Sequence, residues 1–114
     1  MKILLVDDDT RASNRAKKLL KGLNCEVVSV RSTRRAMSVF SQNLDAAMAV
    51  INCQSDGFNG LELARMMNCF SPTLLIVSLK NESAVKSMRG VDLFLPCPLK
   101  TSDLRKISDL LETC

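Results

Sequence analysis

The 114-residue chain contains no histidine, no tryptophan and no tyrosine. Without an imidazole there is no side chain that naturally exchanges a proton near neutral pH, which removes most hydrolase chemistry. Structural zinc is disfavoured as well, because the five cysteines (25, 53, 69, 97 and 114) form no CxxC or Cys/His spacing. Their odd number predicts reduced thiols. Aromatic residues are limited to four phenylalanines, a poor supply for the stacking platforms of nucleic-acid modules. Long apolar runs are missing too: residues 44–51, broken by Asp45, fall far short of the ~20 residues that span a bilayer. Met1-Lys2 leads straight into Ile3-Leu4-Leu5-Val6 with no leader-like region between. These absences together predict a soluble cytoplasmic protein with no membrane contact.

What is present suits one domain, residues 1–114, with 46% hydrophobic residues to fill a single core. The net charge of +4 is concentrated. Arg11, Arg15, Lys17, Lys18 and Lys21 lie on one predicted helix, and Arg31, Arg34 and Arg35 follow soon after, while Asp45 to Glu112 is nearly balanced. Such a run reads first as a solvated helix face, with a docking surface for an acidic partner or nucleic acid as the sharper alternative. No helix-turn-helix or aromatic stacking pattern accompanies it, so direct nucleic-acid binding by this domain is not expected.

Short apolar runs alternate with helical periods along the whole chain, the pattern of a parallel sheet wrapped by helices. The strand candidates are residues 3–6, 26–30, 47–51, 74–78 and 92–95. Ala12, Ala16, Leu19, Leu20 and Leu23 recur at helical spacing, with Asp9 or Thr10 as the cap and Gly22 and Asn24 as the stop. A second helix is expected over 33–42, capped by Ser32 or Thr33, with Ala36, Met37 and Phe40 inward. A third runs over 60–68, where either Leu61, Ala64 and Met67 or Leu63, Met66 and Met67 face the core; Met66 and Met67 both read as core filling. A short fourth helix over 82–89 ends at Gly90, and a fifth from Ser102 carries Leu104, Ile107, Leu110 and Leu111.

Open α/β sheets place their chemistry where strands end. In this chain the first strand runs into Asp7-Asp8-Asp9, the third into Asn52, the fourth into Ser78 and the fifth into Pro96-Cys97-Pro98. Three adjacent aspartates alone could be no more than a helix cap. With Asn52, Ser78 and Cys97 at the other strand ends, a pocket is the better reading.

The segments MKILLVDDD, NGLELARM, LLIVS and GVDLFLPCPL, at their spacing here, resemble the receiver domain of two-component response regulators. That resemblance implies a flavodoxin-like (βα)5 fold, with a doubly wound five-stranded parallel sheet of order 2-1-3-4-5. It also implies a machine: an acidic pair and a third aspartate that hold Mg²⁺, the third accepting a phosphoryl group; a switch hydroxyl; a switch aromatic; and a lysine before a cis proline. Carried over residue by residue, Asp7 and Asp8 match the acidic pair, Ser78 the hydroxyl and Phe94 the aromatic. The acceptor position, eight residues before Gly60, holds Asn52, and the lysine position holds Cys97, followed by Pro98.

An amide oxygen shares its lone pair with the C–N bond and cannot form an acyl phosphate, so Asn52 blocks the reaction at its usual place. A neutral thiol at 97 cannot supply the ammonium that would pair with phosphoryl oxygens. The two replacements offset each other. Three carboxylates and one ammonium sum to −2, as do Asp7 and Asp8 with neutral Asn52 and Cys97; losing the lysine alone would leave −3. An added like charge about 4 Å away costs on the order of 4 kcal/mol at an effective dielectric of 20. The Asn52 amide can also donate to Asp7 or Asp8, standing where a cation would stand. Only a weak residual Mg²⁺ site, at Asp8, Asn52 and Gln54, is expected.

The resemblance thus leads to an atypical, non-enzymatic receiver domain that signals by protein contact without phosphorylation. Its partner, or a second copy in a homodimer, would meet the fourth helix, fifth strand and fifth helix. One alternative is the N-terminal receiver of a longer DNA-binding transcriptional regulator. A weaker one is a small phosphatase-like enzyme on the same fold with Asp7 as nucleophile, disfavoured because the chain lacks histidine and a Gly-rich phosphate loop.

Overall fold

The computed structural model describes residues 1–52, 60–79 and 91–112. The helix expected over 82–89, and Cys53, Gln54, Asp56, Lys80, Gly90 and Cys114, lie outside the described residues. Five strands, β1 (Lys2–Val6), β2 (Glu26–Val30), β3 (Met48–Asn52), β4 (Leu75–Leu79) and β5 (Leu93–Leu95), form one sheet in the order β2-β1-β3-β4-β5. Every pairing is parallel. The fold is therefore the expected α/β sheet with its crossover helices. The central strands β3 and β4 are buried along their full length, which is why they read as continuous apolar runs without alternation.

Among the described residues four α-helices flank the sheet: α1 (Thr10–Lys21), α2 (Thr33–Ser41), α3 (Gly60–Phe70) and α4 (Leu104–Glu112), the last being the helix expected from Ser102. Asp9, not Thr10, caps α1, its carboxylate accepting from the backbone N–H groups of Arg11 and Ala12 at 2.9 and 3.2 Å. Ser32 caps α2 through the N–H of Arg35 at 3.2 Å. At the end of α1, Gly22 keeps a right-handed conformation and Asn24 takes the left-handed one, with φ 62, a region that asparagine tolerates better than most residues. A 3₁₀ turn, Thr101–Asp103, precedes α4, and the buried Asp103 carboxylate accepts from the N–H of Lys100 at 2.9 Å.

On α3 the structure selects Leu63, Ala64 and Met67 for the core and leaves Met66 exposed. That corrects the expectation that both methionines fill the core: the buried set draws on both overlapping stripes, and Met66 falls outside the arc of the helix that Leu63, Ala64 and Met67 share. Two apolar layers result. One packs Leu20 of α1 and Ile107 of α4 on Ile3, Leu5 and Val50. The other packs Phe40 of α2 and Met67 of α3 on Leu4, Ile51 and Ile76.

At the amino ends of the strands, the Lys2 ammonium donates to Asn43 and Asp45, both at 3.1 Å, and lies 3.6 Å from Glu26. The Asp45 carboxylate holds it above its ordinary lysine range. This tie joins β1, β2 and the approach to β3 at the end of the sheet opposite the pocket. Beside β5, Asp92 extends the ladder, its side chain accepting from the N–H of Ile76 at 2.8 Å and its own N–H donating to the Ile76 carbonyl at 2.8 Å.

Candidate functional site

Asp7 follows the last residue of β1, and its N–H still donates to the Val30 carbonyl at 3.0 Å, so the ladder to β2 fixes its backbone. Asn52 is the final residue of β3 and pairs in register with Leu79. Strand alternation turns Asp7 with Leu5, and Asn52 with Val50, toward the α1/α4 layer. The two side chains meet there, fully and almost fully buried, 45 positions apart in sequence.

Asn52 Nδ2 donates to Asp7 Oδ2 at 3.0 Å and to Cys97 Sγ at 3.6 Å. The other Asp7 oxygen, Oδ1, accepts from the N–H of Asp9 at 2.9 Å. One amide thus links the end of β1 to the loop after β5. Cys97 is half-buried against the α1/α4 layer, and the Cys97–Pro98 peptide bond is cis. Asp8 is exposed at the rim.

Burial pushes the Asp7 carboxyl above its usual range, and the neighbouring Asp8 and Asp9 charges add to that; the hydrogen bonds from Asn52 and Asp9 oppose it. The Cys97 thiol is also pushed up, first by burial and then by the Asp7 charge, with the Asn52 amide opposing. A thiol so placed stays protonated at neutral pH and is a poor nucleophile.

Ser78 is buried on β4 and lies directly across from Phe94 of β5, which is half-buried, and from Ile51 of β3. Alternation puts Ser78 with Ile76 and Phe94 opposite to Leu93 and Leu95, so this pair belongs to the α2/α3 side of the sheet. The structure therefore brings the predicted residues into two adjoining groups: Asp7, Asn52 and Cys97 joined by hydrogen bonds, and Ser78 with Phe94 joined by strand register. The contributor that the sequence reading passed over is the backbone N–H of Asp9. Its side chain was visible as a helix cap, but a main-chain donor leaves no trace in residue type.

Mg²⁺, which the resemblance implies, takes oxygen ligands. Both Asp7 oxygens already accept N–H groups, and position 52 turns an NH₂ toward Asp7 where the ion requires an oxygen. These residues do not fit the ion. Among the described residues no group of three or more His, Cys, Asp or Glu could hold a metal. Of the weak residual site, Gln54 lies outside the described residues, and the Asn52 amide is engaged with Asp7 and Cys97.

No protein-family model matches the chain, and no curated protein matches it in sequence. Solved structures do match in fold. A response regulator receiver domain protein from Clostridium thermocellum superimposes with a TM-score of 0.86 at 20% identity, covering 98% of this chain and 94% of that one. A CheY-like receiver domain protein from Methanospirillum hungatei gives 0.86 at 22% identity over 98% and 94%. The response regulator TrrA from Thermotoga maritima, in complex with Mg²⁺ and a beryllofluoride, gives 0.82 at 21% identity over 96% and 97%.

Proposed function

We propose that this chain, whose fold is that of response-regulator receiver domains, is a signalling module of the two-component type that works through protein contact and without phosphorylation at the usual position. The observation that carries this reading is the hydrogen bond from Asn52 Nδ2 to Asp7 Oδ2, 3.0 Å long and buried. In the site that the resemblance implies, a carboxylate at 52 would be the nucleophile and a cation would neutralise the pocket. Here an amide occupies that position, and its NH₂ supplies partial positive charge to Asp7 from within the chain. A non-nucleophilic side chain and an internally paired carboxylate leave phosphoryl transfer without its acceptor.

The partner surface in this reading is β5 and α4, together with the segment between β4 and β5. The occupant is another protein or a second copy of the chain. Ser78 and Phe94, in register with each other on β4 and β5, are the positions at which a phosphorylated relative would change state. In this chain they hold one arrangement, and binding is constitutive. A receiver that uses phosphate shifts a pre-existing equilibrium, and a module without that bias must be fixed by packing.

Incubation with Mg²⁺ and a small acyl-phosphate donor, followed by intact-mass analysis, tests the proposal. The expected spectrum shows the unmodified mass alone. An acid-labile phosphoryl adduct mapping to Asp7, Asp8 or Asp56 would mean that another carboxylate accepts the group, and the proposal would fall.

A further inference from the structure

The two edges of the sheet are finished differently. At one, β5 is three residues long and runs into Pro96 and Pro98, which have no N–H to offer a further strand. At the other, β2 has no strand beyond it among the described residues. Its five residues, Glu-Val-Val-Ser-Val, include no proline or lysine, and their register with β1 runs unbroken from Glu26 to Val30, so no bulge turns this edge away.

The inner row of β2 is tied down at both ends. The Glu26 N–H donates to the Met1 carbonyl at 2.8 Å, and the Val30 carbonyl accepts from the Asp7 N–H at 3.0 Å. Backbone groups alternate sides along a strand, so positions 26, 28 and 30 face β1, and the N–H and C=O groups of Val27 and Ser29 face outward. Ser29 is exposed, which leaves that outer row open to solvent.

Charge brackets the same edge. Residues 10–42 hold eight of the sixteen basic residues and one of the twelve acidic ones. Lys21 ends α1 shortly before β2, and Arg31, Arg34 and Arg35 follow it, all exposed. The one acid, Glu26, lies 3.6 Å from the Lys2 ammonium on β1. A second copy paired antiparallel would set Lys21 of each chain beside Arg31, Arg34 and Arg35 of the other, so like charges would meet at both ends.

We propose that the β2 edge takes up an extended acidic segment of a partner protein as a sixth strand, with main-chain hydrogen bonds to Val27 and Ser29 and with carboxylates at its ends facing Lys21 and the three arginines. Strand addition draws its affinity from such an unpaired backbone row, and guanidinium groups pair with carboxylates through two parallel hydrogen bonds. None of these observations involves the pocket at Asn52.

The test uses the full chain and a labelled peptide of about ten residues, with valine and threonine alternating in the middle and two glutamates at each end. Fluorescence anisotropy should show binding by the wild type. Ser29→Pro removes an outward N–H and leaves the ladder to β1 intact, the one setting in which an edge strand tolerates proline, and should weaken binding by about tenfold. Arg31→Glu with Arg34→Glu should weaken it by a similar factor, whereas Arg65→Glu with Lys100→Glu, the same change in net charge elsewhere, should stay within about twofold of wild type. In hydrogen exchange followed by NMR, saturating peptide should slow the Val27 and Ser29 amides of the wild type by at least about tenfold. Absence of binding, undiminished binding by a folded Ser29→Pro protein, equal weakening by both charge variants, or unchanged exchange at Val27 and Ser29 would each overturn the proposal. So would dimerisation of the wild type that Ser29→Pro abolishes, since the edge would then belong to a second copy.

Discussion

Asp7 is fully buried and carries a carboxylate whose protonation burial favours. Its folded pKa therefore lies above its unfolded value, and the sign of its linkage to stability follows. Below the unfolded value, about 3.9, both states are protonated and there is no penalty. As pH rises from the unfolded value toward the raised folded value, the unfolded state releases its proton first and stability falls, and the loss is complete once pH exceeds the folded value. Asp7→Asn should therefore raise Tm at pH 7 by several degrees, the change that about 1 kcal/mol makes in a domain of this size. The gain should shrink toward zero near pH 4, as followed by thermal melts across that range. Asn52 is the other side of the same account. Asn52→Asp replaces the donor on Asp7 with a like charge, so it should lower Tm by an amount corresponding to about 3 kcal/mol or more at low salt. Millimolar Mg²⁺, which suits three carboxylates, should restore part of the loss in that variant and leave the wild-type melt unchanged.

At the scale of the helix, α1 joins a well-made start to an electrostatically unfavourable body. Asp9 caps it, while Arg11–Arg15, Arg15–Lys18, Lys17–Lys21 and Lys18–Lys21 are like-charge pairs three or four residues apart. Arg15→Glu turns two of these pairs into attractive ones, and at a few tenths of a kcal/mol per pair it should stabilise the domain by about 1 kcal/mol in urea titrations at low salt. The expectation is specific to α1, since acids already alternate with bases on α4. Elements of this kind were largely legible in the sequence, because strand runs and helix periods differ in spacing and because Asp9 and Ser32 are recognisable caps. Met66 was not legible: two apolar stripes overlap on α3, and which of their members turn inward depends on packing against Leu4, Ile51 and Ile76. The Lys2 tie to Asn43 and Asp45 spans more than 40 positions and has no local signature. Asp92, closing the ladder onto Ile76, looked like an ordinary strand residue.

Over the whole molecule, the order of the strands brings Asp7, Asn52 and Cys97 together from the first, third and fifth strand ends. The candidate site was readable because a parallel sheet collects its strand ends at one rim, so listing those ends in order recovers a pocket that the linear chain disperses. Which amide hydrogen meets which oxygen was not readable; that required the register of β1 against β3 and the approach of the loop after β5. The central claim is that this pocket satisfies itself and leaves Ser78 and Phe94 in a single state. Two-dimensional NMR of the wild-type protein and of the variant with Asn52→Asp and Cys97→Lys, each titrated with Mg²⁺ and beryllofluoride, tests it most directly. The account predicts wild-type resonances of Ser78, Phe94 and their neighbours that do not move, and a second set of peaks at those positions in the double variant. Movement of the Ser78 and Phe94 resonances in the wild-type protein would contradict it.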